Sequence, residues 1–154
     1  MKSILASLLE PRTNSIYPIG LKEICIGREK KALGNQFGLS QFGVNLVKLN
    51  PGAASSQRHW HLIEDEFVYI LSGNITLITN EGEQVLGPGM CCGFKAGEPN
   101  AHQLINKSEE PVEYLEIGTR SQTDEATYPD VDLHAVKESG SFKFFHKDGT
   151  PYTE

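Results

Sequence analysis

Glycine- and proline-marked turns interrupt the middle of this chain every few residues, and the stretches between them are short, alternating and β-branched. Gly43 to Leu49 alternates and stops at Asn50-Pro51-Gly52. Glu66 to Leu71 ends at Ser72-Gly73-Asn74, Ile75 to Thr79 at Asn80-Glu81-Gly82, and Glu83 to Leu86 at Gly87-Pro88-Gly89. Cys91 to Lys95, His102 to Asn106 and Val112 to Ile117 continue the pattern. Runs this short cannot form helices of ordinary length, and no helical periodicity separates them. They predict an all-β sandwich or barrel.

The flanks are less regular. Residues 1–40 hold a short amphipathic helix or arm at Met1 to Glu10, then Pro- and Gly-punctuated chain. Residues 121–154 begin polar, then offer two weak strands at Val131 to Val136 and Phe142 to His146. Neither flank has enough apolar residues for its own core. The 154 residues therefore read as one domain, with a central barrel over about 42–117 and both flanks packed on it.

Charge narrows the partners. With 14 basic and 20 acidic side chains the formal charge is −6, which argues against nucleic acid and anionic membranes. The basic run Arg28-Glu29-Lys30-Lys31 is short, broken by an acid, and reads as a solvated turn. No stretch is apolar enough to span a bilayer, and the first ten residues lack the apolar core of a secretion signal. The three cysteines, Cys25, Cys91 and Cys92, are an odd count, and adjacent residues on a strand point to opposite faces. Reduced thiols and a cytoplasmic location are the expectation.

His59 and His61 are two apart, so on a strand both imidazoles point the same way. Glu66 opens the next strand beyond the turn at Leu62 to Asp65, where a hairpin would bring it level with the histidines. His102 begins a strand in which His102, Leu104 and Asn106 share a face. Three imidazoles and a carboxylate directed inward form a mixed N/O set suited to one divalent transition metal: iron, manganese, nickel or zinc. Such a set leaves open positions, the mark of a catalytic rather than a structural ion. A lone His-x-His carries little weight by itself. His134 and His146 read as ordinary surface or hydrogen-bonded histidines.

The frame around these residues resembles the cupins. Their first motif runs from a glycine through His-x-His and a glutamate to a second glycine. Here it spans Gly52, six residues, His59-Trp60-His61, four residues, Glu66, six residues and Gly73. The second motif appears as Gly89, five residues, Lys95-Ala96-Gly97, four residues, His102, three residues and Asn106. Three departures alter turns and leave the ligand types intact. One extra residue precedes His59, Lys95 stands in the usual place of proline, and two extra residues precede His102, with the proline displaced to Pro99. The resemblance covers about residues 42–117. It implies a jelly-roll β-barrel with a metal held inside by His59, His61, Glu66 and His102. Glu64 and Asp65 are rival carboxylates, and Glu66 has the family spacing. Gln41 to Leu46, Asp65 to Tyr69 and Lys147 to Tyr152 also resemble small single-domain bacterial cupins of the cupin 2 type. Some of those are labelled sugar-phosphate isomerases by analogy with phosphomannose isomerase, a fold-level warrant.

If Glu66, Val68 and Ile70 face inward, then Phe67, Tyr69 and Leu71 face outward, with Trp60 beside them. An apolar outer face needs a cover. Either the termini provide it, through Ile4, Leu5, Leu8 and Phe144, or a second copy does, and a homodimer is expected. The function expected is metal-dependent chemistry on a small polar metabolite, with sugar-phosphate isomerisation first. The alternatives are a non-heme iron dioxygenase and a non-catalytic, metal-dependent small-ligand binder. Phosphate would need inward cations. Lys95 and Lys48 are the candidates, and Arg58 points away. No helix-turn-helix pattern is present to read DNA.

Overall fold

The alternating stretches become strands in the computed structural model, which describes residues 2–153. In chain order they are β1 (Arg28–Ala32), β2 (Phe42–Leu49), β3 (Trp60–His61), β4 (Glu66–Ser72), β5 (Ile75–Thr79) and β6 (Gly82–Leu86). Then come β7 (Cys91–Phe94), β8 (Gln103–Ile105), β9 (Val112–Thr119), β10 (Asp124–Tyr128), β11 (Leu133–Glu138) and β12 (Ser141–Phe145). They pair antiparallel in sheets ordered β1-β2-β9-β4-β7, β12-β11-β10-β3 and β6-β5-β8. Single bridges at His59–His102 and Ala54–Ile105 tie the start of β3 and the chain before it to β8. The result is the all-β jelly-roll barrel that the turn rhythm and the motifs imply.

The period of two sets what each strand buries. Val47 and Leu49 of β2, Val68 and Ile70 of β4, and Val112 and Tyr114 of β9 point into one cluster with Ile75, Leu77, Leu86 and Leu104. Each buried aliphatic side chain there contributes about 1.5–3 kcal/mol. A second cluster joins Ala126, Tyr128, Leu133 and Ala135 of β10 and β11 to Tyr17 and Cys25 from the N-terminal flank. The candidate site lies between the two clusters. Where β4 turns into β5, Gly73 has φ +78°, and a Cβ there would stand 2.8 Å from the Pro111 carbonyl oxygen.

Several expectations change here. Arg28 to Lys31 is not a turn. It forms most of β1, an edge strand paired with β2 from Arg28↔Leu49 to Ala32↔Asn45. Tertiary pairing overrides its low strand propensity. The polar start of the C-terminal flank contains β10, which pairs with both β11 and β3. The N-terminal segment is an arm with a single 3-10 turn at Ala6–Leu8, and the Lys31 ammonium donates to its Ala6 and Ser7 carbonyls. Nor do β3 and β4 form a hairpin. The Leu62–Asp65 segment crosses from one sheet to another, pinned by Leu62 N–H to the Glu125 carbonyl and Ile63 N–H to Asp124.

The termini do not bury the outer face of β4. Ile4, Leu5 and Leu8 stay exposed, and Phe144 packs on the second cluster instead. Phe67, Tyr69 and Leu71 are 40%, 40% and 43% exposed. Trp60 is not beside them, because it pairs with Thr127 of β10. No helix among the described residues is long and apolar enough to cross a membrane.

Candidate metal centre

Backbone pairing places the three histidines. The His59 and His102 backbones exchange hydrogen bonds of 3.1 and 2.8 Å, so the two residues sit side by side at the junction of β3 and β8. Alternation along β3 then puts His61 on the same inner side, with its Nε2 3.0 Å from that of His59. Glu66 arrives from the opposing sheet, as the first residue of β4. Its Oε2 is 2.6 Å from His102 Nε2 and 3.8 Å from His59 Nε2, and its Oε1 is 3.7 Å from His61 Nε2. The four residues meet across the barrel interior rather than along a hairpin. Ring packing fixes them further: His102 stacks on Phe94 at 3.6 Å and His59 on Tyr128 at 5.5 Å.

Their outer nitrogens set the tautomers. His59 Nδ1 donates to the Gln57 carbonyl at 2.8 Å, since a carbonyl can only accept. His61 Nδ1 donates to Asp124 Oδ2 at 2.5 Å, and Asp124 is only 1% exposed. With both rings neutral, both Nε2 atoms present lone pairs to each other at 3.0 Å, an arrangement that repels without a cation. Two nitrogens about 2.1 Å from one ion and at right angles around it stand about 3.0 Å apart. Glu66 Oε2 is buried without a hydrogen-bond donor. The donor set, the fixed tautomers and this orphaned oxygen fit a divalent transition metal. Carboxylate and carbonyl partners behind ligating histidines are the usual second support of such sites.

The charges agree. Burial pushes the His59 pKa down to about 4, against the pull of Glu66, so its imidazole is neutral near pH 7. For Glu66, burial acts upward, but the contact with His102 and the nearby His59 and His61 outweigh it and hold the carboxyl below its ordinary range. Burial acts downward on His61, and Asp124 and then Glu66 outweigh it, so that pKa is raised. Asp124 is lowered in turn: burial opposes its charge, but His61 and the Ile63 and Glu125 amides prevail.

The rival carboxylates are engaged elsewhere. Glu64 lies close to His61 and Asp124, but its Oε1 accepts the Lys137 ammonium and the Ser121 amide. Asp65 accepts the Ala96 N–H at 2.8 Å, on the outer side of the crossover. His134 pairs with Glu125, and His146 pairs with Asp132 and stacks on Tyr152.

The four residues line a cavity of about 260 Å³. Tyr17, Tyr128, Phe94, Phe142 and Phe144 form apolar walls, and β1 contributes Arg28 and Lys30, with Arg12 beside them. Arg28 donates to the Ser55 and Asn14 carbonyls, and its buried Nε has no acceptor. Lys30 donates to Glu116 Oε1 at 2.8 Å. The inward cations are thus on β1 and not at Lys48, which lies on the opposite face of β2 from Val47 and Leu49. Lys95 lines a second cavity of about 160 Å³, with Trp60, Leu77, Cys92 and Asn100, that shares His61, Glu66 and His102. Arg58 points away, as expected, onto Asp130. Sequence reasoning missed Asp124, Arg28, Lys30 and Glu116. The one available signal was the two-residue spacing of Arg28 and Lys30.

A family model described as Cupin domain matches residues 45–118. Among solved structures, a sugar phosphate isomerase from a cupin superfamily of Silicibacter pomeroyi DSS-3 is 43% identical. It superposes with a TM-score of 0.94, covering 99% of this chain and 97% of that one. A protein of Acidithiobacillus ferrooxidans, provisionally named a sugar phosphate isomerase, is 28% identical with a TM-score of 0.77, covering 86% and 84%. The polyketide cyclase RemF of Streptomyces resistomycificus is 17% identical with a TM-score of 0.64, covering 77% and 79%, a likeness of fold. No curated protein matches the chain.

Proposed function

The chain belongs to the cupin superfamily, and from that premise we propose that it is a metal-dependent aldose–ketose isomerase of a small phosphorylated sugar. His59, His61, Glu66 and His102 would hold iron, manganese, nickel or zinc. A divalent ion held there would supply Lewis-acid polarisation of a substrate carbonyl. The remaining work falls to the chain's own residues. Gln57 and Asp124 keep the His59 and His61 lone pairs aimed inward. Tyr17, Tyr128, Phe142 and Phe144 exclude water from the apolar side of the cavity.

The observation that carries the phosphate reading is the cationic wall. Arg28, Lys30 and Arg12 line the same cavity as the four inward donors, and the buried Arg28 Nε lacks an acceptor. Guanidinium groups favour phosphate because their planar N–H array matches its oxygens. The isomerase names of the Silicibacter and Acidithiobacillus proteins support the same reading.

The test uses protein stripped by chelator and reloaded with each of the four metals. It is incubated without oxygen with a panel of aldose and ketose phosphates and followed by NMR. Interconversion restored by one metal and abolished by Arg28→Met, with metal content unchanged, is the expected result. Product formation only with oxygen consumed would replace the reading by a dioxygenase. Tight binding of a panel member without turnover would replace it by a binding protein.

A further inference from the structure

We infer that Glu116 is the acid–base group of this site, carrying a proton between neighbouring carbons of the substrate. The role rests on the isomerase reading above. Glu116 lies on the inner face of β9, two residues beyond the buried Tyr114, opposite Asn45 of β2 and Val68 of β4. On β4 the inward residue diagonal to it is Glu66, whose direct partner is Gly118. Diagonal neighbours on one face of an antiparallel pair stand about 7–8 Å apart. Both side chains open on the same cavity.

Two donors hold Glu116, and both hold the same oxygen. The Lys30 ammonium donates to Oε1 at 2.8 Å and the Asn45 amide donates to it at 3.1 Å. No hydrogen bond reaches Oε2 among the described residues, and Glu116 lines the cavity. The carboxylate is oriented through one oxygen and free at the other. A simple counter-ion for Lys30 would need no second donor and no place on the wall of this cavity.

Elimination leads to the same residue. The other titratable groups on this cavity are the four metal-site residues, the cations Arg12, Arg28 and Lys30, and Tyr17 and Tyr128. Burial keeps both tyrosines protonated at neutral pH. Glu116 is the one carboxylate besides Glu66 on the cavity wall.

The step balances without a co-reactant. Glu116 takes the proton from the carbon next to the aldehyde. The C–H pair becomes the carbon–carbon double bond, and the carbonyl π pair moves onto its oxygen. The hydroxyl proton passes from the second oxygen to the first. The double-bond pair then takes the proton back from Glu116 at the first carbon, and the second carbon becomes the carbonyl.

Glu116→Gln tests this, because its amide oxygen retains the place of Oε1 opposite Lys30 and Asn45 while it cannot accept the proton. Isomerisation and exchange of the substrate C–H with deuterated solvent are expected to fall about 10³-fold. Metal content, and binding of glucitol 6-phosphate followed by calorimetry, are expected to stay within about threefold of the parent. Glu116→Asp, which keeps the charge but withdraws it by one methylene, is expected to retain partial exchange with unchanged binding. Exchange by Glu116→Gln within about tenfold of the parent would overturn the role. So would loss of alditol phosphate binding in parallel with activity, which would make Glu116 a recognition residue. A parent protein that exchanges no C–H on the panel would overturn the isomerase reading and this role together. Exchange at comparable rates by the parent and Glu116→Gln would overturn this role alone.

Discussion

Asp124→Asn is the change that most directly tests how the metal centre is built. Asp124 Oδ1 accepts the Ile63 N–H at 2.8 Å and Oδ2 accepts His61 Nδ1–H at 2.5 Å. Asparagine keeps one acceptor. The Ile63 amide can only donate, so it retains the oxygen, and the new NH2 faces His61. His61 must then accept at Nδ1 and carry its proton on Nε2. That proton would point at His59 Nε2, 3.0 Å away, and close the lone-pair gap. Metal binding would require the unfavourable tautomer or a broken hydrogen bond. Loss of such a supporting partner costs about 10–100-fold in metal affinity, or about 1.4–2.7 kcal/mol. A competition titration against a chromophoric chelator measures this, with circular dichroism to show that the fold persists. Affinity within threefold of the parent in a folded variant would refute the tautomer argument.

Other consequences are open to measurement. Gly73→Ala forces a side chain onto φ +78° and within 2.9 Å of Val112 Cγ2, and a loss of at least about 2 kcal/mol is expected in urea denaturation. A loss below about 0.5 kcal/mol would show that the turn can move. His59 falls to about 4 in the folded protein, from 6.5. Between those values the unfolded chain binds the additional proton, so the metal-free protein loses stability as pH falls from about 6.5 to about 4. That contribution is on the order of 3 kcal/mol. The raised pKa of His61 runs the other way, so the test compares the parent with His59→Gln. Equal pH slopes in the two proteins would count against a buried neutral His59. Finally, we propose that a second copy covers Phe67, Tyr69 and Leu71. Sedimentation is expected to show a dimer that Tyr69→Lys weakens, and a monomeric parent at micromolar concentration would refute it.

The central strands were legible because their turns are chemical. Gly73 and Gly89 mark sharp reversals, and the residues between alternate cleanly from core to surface. His59, His61, Glu66 and His102 were legible because their types and spacings form a motif. Strand β1 was not, for a physical reason. Arg28 and Lys30 form the cationic side of the cavity while Glu29 and Lys31 lie on the other face, so the strand carries no apolar alternation. Asp124 was hidden differently. It lies in a polar stretch, and its partner His61 is 63 residues away along the chain. The Leu62–Asp65 segment has the length of a hairpin turn, and only tertiary hydrogen bonds to Glu125 and Asp124 reveal it as a crossover.

All four inward donors fall inside residues 45–118, the stretch matched by the family model. Arg28, Lys30, Tyr17, Tyr128, Phe142 and Phe144, which line much of the rest of the cavity, fall outside it. Apart from Asp124, which braces His61 from the flank, the ion holder and much of the wall that meets its guest therefore come from different parts of one chain. Drift in the flanks that spares Asp124 can change the diet of such a protein while the ion's ligands stay untouched. Grafting the flanks of one relative onto the middle of another offers a direct route to altered preference.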